Sequence, residues 1–355
     1  MTFENYKTIF YKINVNSNKK NIAAFDMDYT IIKPKSNRIF PKDENDWKFL
    51  FGEITISKLR EINKNYQIVI FTNQKGISKG RTTIEQISKK IYDIEKSLDI
   101  NLDVVISSKS DYYRKPLTGM WRFYKKTRTN TVSKKKSFYV GDAAGRIYKN
   151  NSFKGKVKKD HSNDDRYFAY NIGLKFYTPE EFFGVIDEPH HIEESSLEHS
   201  KNKIINIDTS KNLVLFVGAP ASGKTKLYKE KFNDYEHINM DTLKNKERCL
   251  KLTEYAMKYG KNIVVDNTNP DYSTRKKYLD LGKKYNYNSY IVNFKSNRFI
   301  NNYYNRYRVQ KSKGKRKLIP DVVYNVYYKK YEEPTIDEAK ILNYSNYNFD
   351  EKYKF

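Results

Sequence analysis

Asp26 and Asp28 stand two residues apart at the end of a short apolar run, in Ala24-Phe25-Asp26-Met27-Asp28-Tyr29-Thr30, a D-x-D-x-T pattern. Transfer of a phosphoryl group to an enzyme carboxylate needs a nucleophile in line with phosphorus and a cation to neutralise the oxygens. Asp26 is the candidate nucleophile. Asp28 is close enough to protonate a leaving oxygen and then to activate water. Thr30 can brace the turn. On its own the pattern also fits a plain acidic turn at a strand end.

Three further strand ends carry matching chemistry. Thr72-Asn73-Gln74 offers donors to phosphate oxygens. Lys115, in Arg114-Lys115-Pro116, supplies a positive charge for an aspartyl-phosphate. Asp142, in Gly141-Asp142, is a hard oxygen ligand for Mg2+. Asp164-Asp165 fits two roles equally, support of the metal or substrate and a surface salt bridge.

A second set begins at Gly218-Ala219-Pro220-Ala221-Ser222-Gly223-Lys224-Thr225, a complete G-x-x-x-x-G-K-[ST] loop after an apolar run. Backbone N–H groups of such a loop surround phosphate at a helix N-terminus. Lys224 then reaches the β- and γ-phosphates of ATP or GTP, and Thr225 offers its hydroxyl to Mg2+. The loop does not name the acceptor. Asp241 suits a general base that takes a hydroxyl proton, and equally a helix cap. Arg275 can hold an acceptor phosphate. Arg298, Arg306 and Arg308 lie in a basic stretch of the kind that forms a lid, where an arginine neutralises the moving phosphoryl group.

These residues need rigid elements behind them. Apolar runs at 22–25, 67–71, 102–106 and 137–140 read as buried parallel strands, with helices over 54–65 and 83–98 between them. Runs at 212–217, 261–265 and 287–294 read the same way, with a helix from Lys224. The fold class expected is α/β, with two doubly wound parallel sheets whose ligands bind at the carboxyl strand ends. The division expected is 1–190, a linker over 191–205 that includes His191, and 206–355. His190-His191 lacks spaced partners for a metal and reads as loop.

With 68 Lys and Arg against 42 Asp and Glu, the net charge of +26 points to an anionic partner, nucleic acid first. Compositional drift, visible in the many Lys, Asn, Tyr and Ile, inflates that number. Cys249 is the single cysteine, so no internal disulfide forms and a reducing compartment is expected. No apolar run is long enough to span a membrane, and no signal peptide opens the chain. A protein of the nucleus or cytoplasm, free of membrane, is expected.

The ordered strand-end set resembles the haloacid dehalogenase superfamily of phosphatases. The resemblance implies metal ligands at Asp26, the backbone carbonyl of Asp28, and Asp142. That family usually has glycine where this chain has Tyr29, so the Tyr29 ring must point away from the phosphate. The whole chain resembles the eukaryotic-type polynucleotide kinase 3′-phosphatase family. The matching runs include Phe40-Pro41 with Asp46-Trp47, Ile70 to Gln74, Tyr113 to Pro116, Val140 to Arg146, Thr178 to Phe183, the glycine loop, Asp241-Thr242 and Asp266 to Pro270. The resemblance implies a haloacid dehalogenase-like Rossmannoid domain and a P-loop kinase domain. It implies hydrolysis of 3′-phosphate ends, ATP-dependent phosphorylation of 5′-hydroxyl ends, Mg2+ and ATP as cofactors, and DNA break ends as partner. RNA ends, or a binding scaffold with decayed sites, are the alternative readings. It raises Asp241 as general base and places the lid arginine near Arg306 or Arg308. Animal members begin with a forkhead-associated domain. Asp26 lies too near the start for one here, so phosphopeptide recruitment is not expected, and a monomer is.

Overall fold

The computed structural model describes residues 3–36, 38–149, 158–192, 200, 207 and 210–355. Compactness divides the chain into one unit of residues 1–195, 306–318 and 351–355, and another of residues 196–305 and 319–350.

The first unit runs β1 (Glu4–Tyr6), β2 (Ile9–Lys12), β3 (Ile22–Phe25), β4 (Ile32–Lys33), β5 (Lys48–Phe49), α1 (Glu53–Asn63), β6 (Gln67–Asn73), α2 (Ile84–Leu98), β7 (Asp103–Ser107), α3 (Gly119–Thr127), β8 (Phe138–Val140), β9 (Arg146–Tyr148), α4 (Asp164–Ile172), β10 (Lys175–Tyr177), α5 (Pro179–Phe183) and β11 (His190–Ile192). Seven strands form one sheet in the order β1-β2-β7-β6-β3-β8-β10. From β7 to β10 the pairing is parallel, and the β1–β2 hairpin joins that core antiparallel, through β2 on β7.

The central strands are buried on both faces, so their sequences are continuous apolar runs rather than alternating ones. Ala23, Phe25, Ile68 and Ile70 face one side, against Leu59 of α1 and Ile87, Ile91 and Ile94 of α2. Ile22, Ala24, Val69 and Phe71 face the other, against Trp121, Tyr124 and Phe168. The start of α2 is fixed by a capping box. The Gln86 N–H donates to Thr83 Oγ1 at 3.3 Å, and the Thr83 N–H donates to Gln86 Oε1 at 3.0 Å.

The second unit runs β12 (Asn212–Val217), α6 (Lys224–Lys231), β13 (Glu236–Ile238), α7 (Met240–Leu243), α8 (Lys246–Lys258), β14 (Ile263–Val265), α9 (Tyr272–Lys284), β15 (Asn288–Phe294), α10 (Arg298–Lys311), α11 (Asp321–Lys330) and β16 (Lys340–Tyr344). From Arg306 onward α10 falls in the first unit. Five strands form an all-parallel sheet, β13-β14-β12-β15-β16. The doubly wound α/β class is therefore observed in both units. Among the described residues no helix is long and apolar enough to cross a membrane.

Two expectations are corrected. The expected linker over 191–205 lies outside the described residues except at 191, 192 and 200. His190-His191, read as loop, opens β11, which pairs antiparallel with β9. Arg275, read as a phosphate holder, is fully buried and grips Glu338 with two hydrogen bonds of 2.7 and 2.8 Å. Its remaining N–H groups donate to the carbonyls of Pro270 and Glu332. It ties α9 to the approach to β16, and its full burial closes it off from a ligand in solution. Removing one member of such a pair leaves an uncompensated buried charge. Arg275→Ala is thus expected to destabilise the second unit by about 3–5 kcal/mol, read by denaturant unfolding. A variant of unchanged stability that raised only the KM for an acceptor would contradict this.

Candidate active sites

Lys115 is the centre of the first site. It is 3% exposed, yet four acceptors share the three protons of its ammonium: Asp26 Oδ1 at 2.6 Å, Asp165 Oδ1 at 2.7 Å, the Phe71 carbonyl at 2.7 Å and the Tyr139 hydroxyl at 2.8 Å. Burial works against its charge, but Asp165 and Asp26 outweigh burial and hold it above the usual lysine value. Asp26 follows β3, and its N–H donates to the Val140 carbonyl of neighbouring β8 at 2.9 Å. Burial pushes the Asp26 carboxyl well above the usual range; Lys115 pulls against this, and Asp165, Asp142 and Asp28 add to it.

Asp26, Asp142 and Asp165 are buried and place one carboxylate oxygen each within 4.8 Å of one another. One ammonium for three buried carboxylates leaves a surplus of negative charge. Hard oxygen donors at this spacing fit a divalent cation such as Mg2+, and such a cation would keep Asp26 anionic. The expected metal set is Asp26, Asp142 and the Asp28 carbonyl. The structure adds Asp165, which the sequence left between two roles. At 2% exposure it cannot make a surface salt bridge; Tyr139, Lys115 and the Ala143 N–H all donate to it. This approach requires glycine at position 141, where an added Cβ would lie 2.5 Å from Asp165 atoms.

The Asp28 carboxylate stands apart from the cluster and accepts from Gln74 Nε2 at 2.7 Å. The same amide donates to Thr72 Oγ1 at 3.0 Å, so Gln74 links the two expected site residues. Thr72 is buried inside β6 rather than beyond its end. Asp142 is held from below by Arg146, which donates to its backbone carbonyl at 3.1 Å and pairs with Asp160 and Glu180. Tyr29 takes φ +55°, the left-handed region that suits glycine. Its hydroxyl reaches the carbonyls of Arg38 and Ile39, at 3.1 and 2.9 Å, with its one proton, which fixes the ring on that segment.

In the second unit the loop from Gly218 through Ala219, Pro220, Ala221 and Ser222 to Gly223 joins β12 to α6. Gly218 has no room for a side chain, since a Cβ would meet Phe294 and Ser222 at 2.8 Å. The Lys224 ammonium donates to the carbonyls of Gly218 and Ala219, each at 2.8 Å. Burial lowers it to about 8, while Asp266 and Asp241 pull the other way. Thr225 Oγ1 donates to Asp266 Oδ2 at 2.8 Å. His237 and Asn239 also meet that oxygen, at 3.1 and 3.2 Å. Asp266, at the end of β14, was legible only as part of a run and is the hub of this site. Asp241 is not the cap of α7; Asn239 is, accepting from the Asp241 N–H at 2.7 Å. The Asp241 carboxylate is exposed. Of the expected lid arginines, Arg298 pairs with Asp321, and Arg308 donates to the Lys317 carbonyl at 3.0 Å. Arg306 lies 3.9 Å from Asp164, within the first unit.

A buried carboxylate gripped by lysine, and a glycine loop with its lysine and threonine, define a two-site phosphotransfer enzyme, phosphatase in one unit and kinase in the other. A bifunctional polynucleotide phosphatase/kinase of Schizosaccharomyces pombe is 33% identical over 334 residues, 90% of this chain and 78% of that protein. The chain belongs to the bifunctional polynucleotide phosphatase/kinase family. A protein of Acanthamoeba polyphaga mimivirus is also 33% identical, over 89% of this chain and 82% of its own. A polynucleotide 3′-phosphatase of Saccharomyces cerevisiae matches 46% of this chain at 30% identity and 87% of its own length. The family described as polynucleotide kinase 3 phosphatase matches residues 21–183, and an AAA domain matches residues 213–334.

The lowered Lys224 value gives a pH test. With its value lowered to about 8, the ammonium is expected to be mostly deprotonated at pH 9, and bound phosphates are expected to restore its charge. Binding of a nucleotide triphosphate is therefore expected to take up roughly one proton at pH 9 and almost none at pH 7. Calorimetry in buffers of different ionisation heat measures it. Equal uptake at both pH values would contradict the assignment.

Proposed function

We propose that the first unit removes 3′-phosphates from DNA ends and the second phosphorylates 5′-hydroxyl ends with ATP. The observation that carries the reading is the Asp26–Lys115–Asp165 pocket beside Asp142, joined in one chain to a glycine loop whose lysine feels Asp241. The printed name of the Schizosaccharomyces relative, a phosphatase/kinase of polynucleotides, supports the same pairing.

In the first unit an Asp26 oxygen attacks the terminal phosphorus, and the bond to the 3′-oxygen breaks. Asp28, positioned by Gln74, gives its proton to that oxygen. Asp28 then takes a proton from water, which attacks the aspartyl-phosphate, frees inorganic phosphate and restores Asp26. Lys115 and Thr72 hold the phosphoryl oxygens. In the second unit Asp241 takes the proton of the 5′-hydroxyl, whose oxygen attacks the γ-phosphorus while ADP departs. Lys224 and the loop amides from Gly218 to Gly223 bind the phosphates. Mg2+ would be held by Asp26, Asp142 and the Asp28 carbonyl in one site and by Thr225 in the other, and would neutralise phosphoryl oxygens when bound. Arg306 or Arg308 would serve as the lid arginine that neutralises the moving phosphoryl group.

Separate variants test the two assignments. Asp26→Asn is expected to cut release of 3′-phosphate by at least ~10³-fold while kinase activity stays within about twofold. Lys224→Met is expected to do the reverse. Phosphate release and 5′-labelling on one oligonucleotide measure both, with matched DNA and RNA ends. An Asp26→Asn protein that keeps phosphate release and loses kinase activity overturns the assignment.

A further inference from the structure

The β1–β2 hairpin, the turn at Tyr112-Tyr113 and α3 enclose a groove of about 530 Å3 in the first unit. Four aromatic residues line it, Tyr6, Tyr112, Tyr113 and Phe123. Tyr6 stacks on Phe123 with centroids 5.0 Å apart and meets Tyr113 edge-on at 6.3 Å. Lys7, Arg122, Lys125 and Lys126 line it as well, all exposed, and no carboxylate is among the lining residues. Among the described residues none of these four cations has an ion-pair partner. Tyr112 is 8% exposed, and its hydroxyl has no hydrogen-bond partner.

The groove adjoins the reacting atoms along the chain. Tyr113 lies two residues before Lys115, roughly 7 Å of backbone, and the Lys115 ammonium is 2.6 Å from Asp26. Arg114, between them, has a buried Nη1 without a partner. Aromatic faces accept any base, and a cationic rim holds a phosphate backbone, which is the recognition chemistry of single strands. A duplex keeps its base faces inside the stack and cannot use the rings.

We propose that this groove holds the unpaired nucleotides leading to the 3′-end in the Asp26 site. The proposal rests on the phosphatase reading of that site. It implies that ends with single-stranded or frayed 3′-segments are bound through the groove with little regard to base identity.

The test uses the full chain without ATP or Mg2+. Fluorescence anisotropy follows a labelled ten-nucleotide single strand ending in a 3′-hydroxyl, beside a blunt duplex of the same length. The variants are K125E/K126E, Tyr6→Ala, and Lys58→Glu on α1 as a control, with circular dichroism to verify folding. The double charge reversal is expected to weaken single-strand binding at least tenfold. It should also lower the slope of log affinity against log salt by roughly 1.4, from about 0.7 per phosphate contact. Tyr6→Ala is expected to weaken binding without changing that slope, which separates stacking from charge. In turnover, the kcat/KM advantage of a 3′-phosphorylated decamer over a 3′-phosphorylated mononucleotide should fall at least tenfold in both. Single-strand affinity within twofold of the parent, or an equal loss for the duplex, overturns the groove. Binding as expected with no phosphate release from any substrate overturns the phosphatase reading and supports the groove.

Discussion

One buried ammonium group holds the first site together. Lys115 is closed off from water, and a lysine is stable there only when its charge is paired and its protons accepted. Four acceptors meet it: two carboxylates, a carbonyl and a phenol. Each of these oxygens belongs to, or follows, a different stretch of the parallel sheet or its helices, so the ammonium locks their relative positions. Without it Asp26, Asp142 and Asp165 would be three like charges inside 4.8 Å. The division of labour between the two aspartates of the first motif follows. Asp26 is fixed in place by Lys115, and a bound divalent cation would keep its buried carboxyl anionic for the proposed attack. Asp28 lies outside the grip, half-buried on Gln74, which suits exchange of a proton.

The second unit handles phosphate with the opposite sign of charge. Its strand β12 leads into a loop whose glycines admit close approach of backbone, and the Lys224 ammonium rests on that loop's own carbonyls. Asp266 gathers Thr225, His237 and Asn239 on one oxygen. Both sites obey the same topological rule, with reactive groups at the carboxyl ends of parallel strands. Burial on two faces makes those strands rigid and gives each side chain at their ends a fixed direction.

Burial on two faces is also why so much was legible in the sequence. Within Ile22–Phe25, Gln67–Asn73 and Asn212–Val217 lie continuous apolar runs, residues 22–25, 68–71 and 213–217, that stop at polar or glycine residues, so strand and site could be read together. The β1–β2 hairpin was not legible, because Glu4–Tyr6 is exposed throughout and carries no apolar period. Asp165 was ambiguous because adjacent acidic residues mark both surfaces and metal sites; only its burial beside Lys115 decides. Arg275 misled for the reverse reason, since its partner Glu338 lies 63 residues away. Asp266 carried a signal, a carboxylate directly after the β14 run, but nothing local showed that Thr225 would donate to it.

One chain is proposed to prepare both ends of a break, each at its own site. A nicked duplex labelled at a 3′-phosphate and carrying a 5′-hydroxyl tests it directly, assayed with Mg2+ in the presence and absence of ATP. Loss of the 3′-label is expected whether or not ATP is present, and gain of phosphate at the 5′-end only with ATP. Retention of the 3′-label under both conditions, or 5′-phosphorylation without ATP, would contradict it.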